Sequence, residues 1–389
     1  MDLNLLKNYL KDRYHHNRLI ELEDSKMQIV PMLFQEQERN RELQELSLLV
    51  PAGSEYCKLP DATILENKQF DYPVFITGKE KKEQECIILL HGLNERNWDK
   101  YLPWAKTLCQ QTGKAVLLFP FAFHINRTPS SWSSPRENFP WVALRKLQHP
   151  SVKNSTFANV ALSYRLSASP LRIYTSGRET LFNLWQLMRQ IRNGDHPLCA
   201  SGCRIDFFAY SIGAMIAQVF MLANPENLLS DSRFFLFCGG SIFERMNGSA
   251  REIMDQIAWN EVKRFYINDY EKPDGFQSGL LPGKTDDSFS KAFISMLRPD
   301  FDQDYRTSFY QQAHDRLKII TLKKDQVIPT EGVREAIGEE NARPLLTELD
   351  FPFDYTHQQP FPTENKKIHP EEISRAFNTI FESACDFLA

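Results

Sequence analysis

The sequence has no apolar run long enough to cross a bilayer and no excess of charge of one sign. Its 46 Lys and Arg stand against 50 Asp and Glu, a net charge of −4 spread along the chain in both signs. That leaves no electrostatic footprint for nucleic acid. The opening MDLNLLKNYLKDRYHHNRL carries a charge every few residues and so lacks the apolar core of a signal peptide. The expected compartment is the cytoplasm. Cysteine is sparse: seven residues, an odd and scattered set with no C-x-x-C pair, which excludes a zinc ribbon and a disulfide scaffold. Free thiols are expected, with Cys86 and Cys238 packed as small hydrophobes in apolar strands. Glycine-rich phosphate loops are missing too, since neither GxGxxG nor GxxxxGK[ST] occurs. No internal repeat or low-complexity tract is present, and no metal-ligand set stands out.

What is there suits a large folded unit. At about 150 residues per domain, 389 residues allow two to three domains or one α/β unit with insertions. From about Asp71 onward, short apolar runs alternate with segments of helical period, the pattern of a mostly parallel sheet covered on both faces. The runs are Tyr72 to Thr77, Cys86 to Leu90, Ala115 to Pro120, Ile205 to Tyr210, Phe234 to Cys238, Leu317 to Leu322 and Leu345 to Phe351. Apolar stripes at steps of three and four predict amphipathic helices over Leu181–Ile191, Ile212–Phe220 and Ile373–Leu388.

Residues 1–70 read as a helical N-terminal extension, periodic in Leu3, Leu6 and Leu10 and charge-rich from Gln35 to Glu45. It is expected to pack on the sheet or to pair two copies of the chain. Residues 71–389 form the α/β domain. Two stretches within it, about 121–176 and 241–316, are too long for plain connections and are read as insertions over one end of the sheet.

The segment that carries chemistry is Arg204-Ile-Asp-Phe-Phe-Ala-Tyr-Ser-Ile-Gly-Ala-Met. An apolar strand runs through Ala209-Tyr210-Ser211-Ile212-Gly213 straight into an amphipathic helix. A serine on so sharp a turn is lifted above the sheet, with small residues where the turn crosses itself and the positive helix end aimed at it. Ser211 is therefore the candidate nucleophile. A serine hydroxyl barely ionises near neutral pH, so it needs a base, and the base needs an acid to fix its tautomer. Strand Leu317–Leu322 leads to Asp325, and the strand ending near Phe351 leads to Asp354-Tyr-Thr-His357. Asp325 and His357 are preferred, with Asp354 as a rival acid and His369 and His314 as rival bases.

A further strand, Cys86 to Leu90, ends in His91-Gly92-Leu93-Asn94-Glu95. Together, His91-Gly92, Ala209 to Gly213, Asp325 to Pro329 and His357, in this order over roughly residues 71–389, resemble the α/β-hydrolase superfamily. They suggest a bacterial-type serine esterase with a cap, although Ala209 stands where that pattern has glycine. The resemblance implies cleavage of a carboxylic ester through an acyl-enzyme, without metal or organic cofactor. It also implies oxyanion-hole N–H groups from Leu93 and Ile212 and a structural, buried His91. Tyr210, Asn94 and His124 are the candidate substrate-binding residues. Two alternatives remain open: a peptidase or amidase on the same scaffold, and a non-catalytic binding protein.

The second insertion then falls where such proteins place a cap. Its aromatics (Phe243, Trp259, Phe265, Tyr266, Tyr270, Phe276, Phe289, Phe293) are read as the cap's own small core. Arg127, Arg136, Arg165, Arg172 and Arg178 are read as solvated surface groups.

Overall fold

The computed structural model describes residues 2–37, 56, 60–78, 81–269 and 287–389. Its nine strands form one sheet in the order β1-β2-β3-β5-β4-β6-β7-β8-β9. They are β1 Ile20–Leu22, β2 Met27–Gln35, β3 Gln69–Ile76, β4 Glu83–Leu90, β5 Ala115–Leu118, β6 Cys199–Tyr210, β7 Phe234–Phe237, β8 Leu317–Leu322 and β9 Leu346–Leu349. From β5 to β9 every neighbouring pair is parallel. At the other edge β1, β2 and β3 run antiparallel. With helices on both faces, this is the α/β-hydrolase fold the apolar runs lead to.

The parallel strands β5, β4, β6, β7 and β8 sit inside the sheet and are buried on both sides, while the parallel β9 forms an edge. Phe207 and Ala209 of β6 join the core on one face, while Phe208 and Tyr210, one residue out of phase, join the core on the other. Helix Pro370–Leu388 buries Ile373, Phe377, Ile380, Phe381 and Leu388 against the second face. Burying each such side chain stabilises the fold by roughly 1.5–3 kcal/mol.

The N-terminal extension departs from its helical reading. Among the described residues up to 70, Leu3–Arg13 is the one α-helix, joined by two single 3-10 turns at Asp61–Thr63 and Leu65–Asn67, whereas residues 20–22 and 27–35 extend the sheet, with β2 paired along the whole of β3. A boundary at residue 70 therefore cuts through a ladder. Pro31 disguises β2, yet it is tolerated there. It faces Pro73 across the ladder, and β1 reaches only as far as Ile29 on the other side, so no partner needs its missing N–H. Leu3, Leu6 and Leu10 are buried in the same core as helices Leu102–Thr112 and Pro370–Leu388, so this stripe is covered within the chain. The charged stretch beyond Gln37 lies outside the described residues, as do Cys57, Tyr270 and Phe276.

The insertions carry helices of their own, and part of each reaches the cavity beside Ser211, whereas Gln303–Gln312 packs on Thr330–Ile337 and leads into β8. Helices Pro135–Gln148 and Val160–Ala168 come from the first, and Gln256–Arg264, Ser288–Ser295 and Gln303–Gln312 from the second. Helix Val160–Ala168 packs against Gln256–Arg264. A buried two-point ion pair, Arg145 Nε to Asp255 Oδ2 at 2.8 Å and Nη2 to Oδ1 at 3.0 Å, joins the two insertions.

Candidate active site

Ser211 follows β6 directly and precedes helix Ile212–Ala223 with φ 60° and ψ −127°, a conformation costly for any residue with a Cβ. The crossing is tight. A Cβ on Gly213 would lie 2.7 Å from the His91 carbonyl oxygen and 2.8 Å from that of Leu90, so only glycine fits.

The Ser211 hydroxyl lies 2.6 Å from His357 Nε2, and His357 Nδ1 lies 2.7 Å from Asp325 Oδ2. All three residues are buried. The other carboxylate oxygen, Asp325 Oδ1, accepts the N–H groups of Val327 and Ile328, both at 2.9 Å, so the carboxylate is fixed before it meets the imidazole. The loop bearing His357 is pinned in turn. Lys324 Nζ donates to the Phe353 carbonyl at 3.0 Å, Lys100 Nζ to that of Gln358 at 3.1 Å, and the Tyr210 hydroxyl to that of His357 itself. The rivals Asp354, His314 and His369 are all exposed.

Opposite the elbow, the turn after β4 comes close. A Cβ on Gly92 would lie 3.4 Å from that of Ser211. Gly92 N–H donates to the Tyr101 hydroxyl at 2.9 Å, and that hydroxyl donates to Glu95 Oε1 at 2.7 Å. His91 accepts the Phe121 N–H on Nε2 at 2.9 Å, while its Nδ1 lies 2.7 Å from the Gly92 carbonyl oxygen. Burial holds this imidazole well below its ordinary pKa, and His124 nearby lowers it further. It is a neutral brace for the turn. Leu93 and Ile212 line the cavity alongside Ser211, and among the described residues neither backbone N–H has a protein acceptor.

Residues 14–389 match the model of a protein family described as a family of unknown function, DUF6051. The chain belongs to that family. No curated protein matches it. Among solved structures it is similar to a thermostable esterase from Pseudomonas putida ECU1011, with 12% identity over 99% of this chain and 89% of the other and a TM-score of 0.43. A bacterial heroin esterase shows 10% identity over 95% and 86% with TM-score 0.48. A hyperthermophilic esterase from the archaeon Pyrobaculum calidifontis shows 11% over 99% and 91% with TM-score 0.40.

Two of the expected substrate contacts do not line the cavity that holds Ser211 and have other partners. Tyr210 points to the sheet face away from the cavity, stacks on the His357 ring at 5.5 Å and donates to its carbonyl. It positions His357. Asn94, at φ 62°, spends its amide on the carbonyls of Ala158 and Glu252, both at 2.8 Å, one from each insertion. His124 does line the cavity. Its Nδ1 lies 2.9 Å from the Ala122 carbonyl, and among the described residues its Nε2 has no hydrogen-bond partner.

The cavity over Ser211 has about 1230 Å³ of open space including its mouth. Its walls are mostly apolar: Met215, Ile216, Phe243, Trp259 and Phe289 among them. Phe243, Trp259, Phe289 and Phe293 of the second insertion line this cavity while packing in the large core on the same sheet face, not in a separate small core. The arginines correct the surface reading as well. Arg127, Arg165, Arg172 and Arg178 are buried, Arg136 alone being exposed. Arg165 and Arg172 meet Asp61 Oδ2 at 3.1 and 2.9 Å, and Arg178 meets Asp287. Burial pushes the Asp61 carboxyl up, but the two guanidiniums outweigh it and hold it below the usual carboxylate range.

Buried neutral histidines set an acid limit for the stability of this chain. Burial holds His124 down to about 4, and His196 down to about 4 as well. Between the ordinary histidine pKa of about 6.5 and that value the unfolded chain takes up protons the folded one refuses. Stability is therefore complete above pH 6.5 and falls as pH drops toward 4. Each imidazole contributes at most about 1.4 kcal/mol per pH unit, or about 3 kcal/mol in all. Urea midpoints at pH 7 and pH 5 should show the fall, and His124→Asn should flatten it. An unchanged slope in that variant would remove His124 from the account.

Proposed function

We propose that the chain is a serine hydrolase that cleaves a carboxylic ester through an acyl-enzyme on Ser211. One observation carries this reading: the unbroken relay from the Ser211 hydroxyl through His357 to Asp325, at 2.6 and 2.7 Å. His357 Nδ1–H donates to Asp325, which leaves Nε2 free to accept the serine proton as Oγ attacks the ester carbon. The oxyanion that forms is stabilised by the N–H groups of Leu93 and Ile212, the latter at the positive end of a helix. The imidazolium then protonates the departing alcohol, and the same relay activates the water that releases the acid.

The apolar walls favour an acyl chain, with His124 Nε2 and the arginine–aspartate network giving polar contacts at one side. A fluorophosphonate probe is expected to label one residue per chain, Ser211. A p-nitrophenyl ester series should then give kcat/KM rising with acyl length, by several-fold per methylene where each is fully buried, at about 0.8 kcal/mol per group. Absence of labelling in folded protein would end the proposal. A flat length series would remove only the assignment of the apolar walls.

A further inference from the structure

Toward the opposite end of β6 from Ser211, the sulfur atoms of Cys86, Cys199 and Cys203 all lie within 4.8 Å of one another. All three residues are fully buried. The backbone brings them together through an irregularity in the sheet. β4 and β6 are in register at Glu83↔Cys199 and again at Glu85↔Arg204, so residues 200–203 stand opposite Gln84 alone. This bulge turns at Gly202, φ 76°, and returns Cys203 to the side where Cys86 and Cys199 already point.

A single buried thiol packs as a small hydrophobe. Three whose sulfurs converge on one another form a donor set instead. Three thiolates in a plane around one ion, each at about 2.3 Å, stand about 4.0 Å apart, within the observed span. The nearby imidazole is otherwise engaged: His196 Nδ1 accepts from the Leu198 N–H at 3.3 Å, and its Nε2 lies 2.9 Å from the Tyr72 hydroxyl. The coordination that remains is sulfur only. Soft thiolates select Cu(I) and Zn(II) over harder ions. Ser201 and Gly202 at the tip of the bulge are exposed, so the site lies close beneath the surface.

We propose that Cys86, Cys199 and Cys203 form a three-thiolate site for a thiophilic d10 cation, Cu(I) or Zn(II). At about 3.3 Å per residue, the eight steps of β6 from Cys203 to Ser211 span about 26 Å. The ion therefore clamps β6 to β4 and takes no part in ester chemistry.

The test uses the full chain, reduced and freed of metal under anaerobic conditions. It is titrated separately with Cu(I) against a competing bicinchoninate and with Zn(II) against a chromophoric chelator. One equivalent of at least one ion is expected to bind, and Cys203→Ser should weaken it by about 100-fold or more while ester turnover holds. Cys199→Ser gives the same reading if Cys203→Ser does not fold, as judged by circular dichroism. Cu(I) alone, Zn(II) alone or both would support the site and name its ion. Wild-type protein that binds neither ion more tightly than a folded serine variant would overturn it, as would two of the three thiols isolated as a disulfide that cannot be opened to bind metal.

Discussion

Ser211→Ala is expected to lower kcat on a p-nitrophenyl ester by on the order of 10⁴- to 10⁶-fold while the protein stays folded. The alanine removes the attacking oxygen and leaves the N–H groups of Leu93 and Ile212, whose share of the rate enhancement survives. The cost to stability is small. One buried hydrogen bond to His357 is lost, about 1 kcal/mol, and the φ of 60° remains strained because alanine keeps a Cβ. Ser211→Gly makes a useful partner. It is equally inactive, but it relieves that strain and should be more stable than Ser211→Ala by about 1 kcal/mol or more. Steady-state kinetics and thermal unfolding of the two variants check both halves. Turnover that persists in either would remove the nucleophile from the proposal.

Asp325→Asn should cost on the order of 10⁴-fold in kcat. The reason lies in what each carboxylate oxygen holds. Oδ1 accepts the Val327 and Ile328 N–H groups and Oδ2 faces His357 Nδ1. The asparagine keeps its oxygen on the two backbone donors, so its NH₂ faces the imidazole and forces Nδ1 to become the acceptor. Nε2 then carries the proton and points it at Ser211, where a base is needed. Kinetics on the variant, with NMR of the imidazole N–H protons to read the tautomer, separate this from misfolding. Near-normal rates with Asp325→Asn, alongside loss with Asp354→Asn, would move the acid to the other strand end.

Much of this arrangement is legible in the amino-acid sequence itself. The seven apolar runs all overlap strands, and for β4 to β8 the reason is that parallel strands buried on both faces must be nearly all apolar. Ser211, Asp325 and His357 each follow a strand, and the sheet brings the three into contact. What escapes has physical causes. β2 contains a proline and alternates weakly, and only its pairing with Pro73 and the shortness of β1 make Pro31 harmless. Arg165 and Arg172 look like surface residues because their partner, Asp61, is more than 100 positions earlier in the chain. The orientation of Tyr210 is legible in principle. It shares the phase of Phe208, not of Ala209, so the period of two already turns it away from the cavity.

Asn94 couples the turn after β4 to both insertions. Its side chain clasps a carbonyl from each roof segment, while its own peptide adjoins Leu93. Any parting of the roof to admit a bulky guest must loosen that clasp and so disturb the turn presenting the Leu93 N–H. In the hydrolase reading proposed above, substrate entry and anion binding thus share a hinge pin, and a guest that holds the roof ajar is expected to react slowly even when seated over the serine.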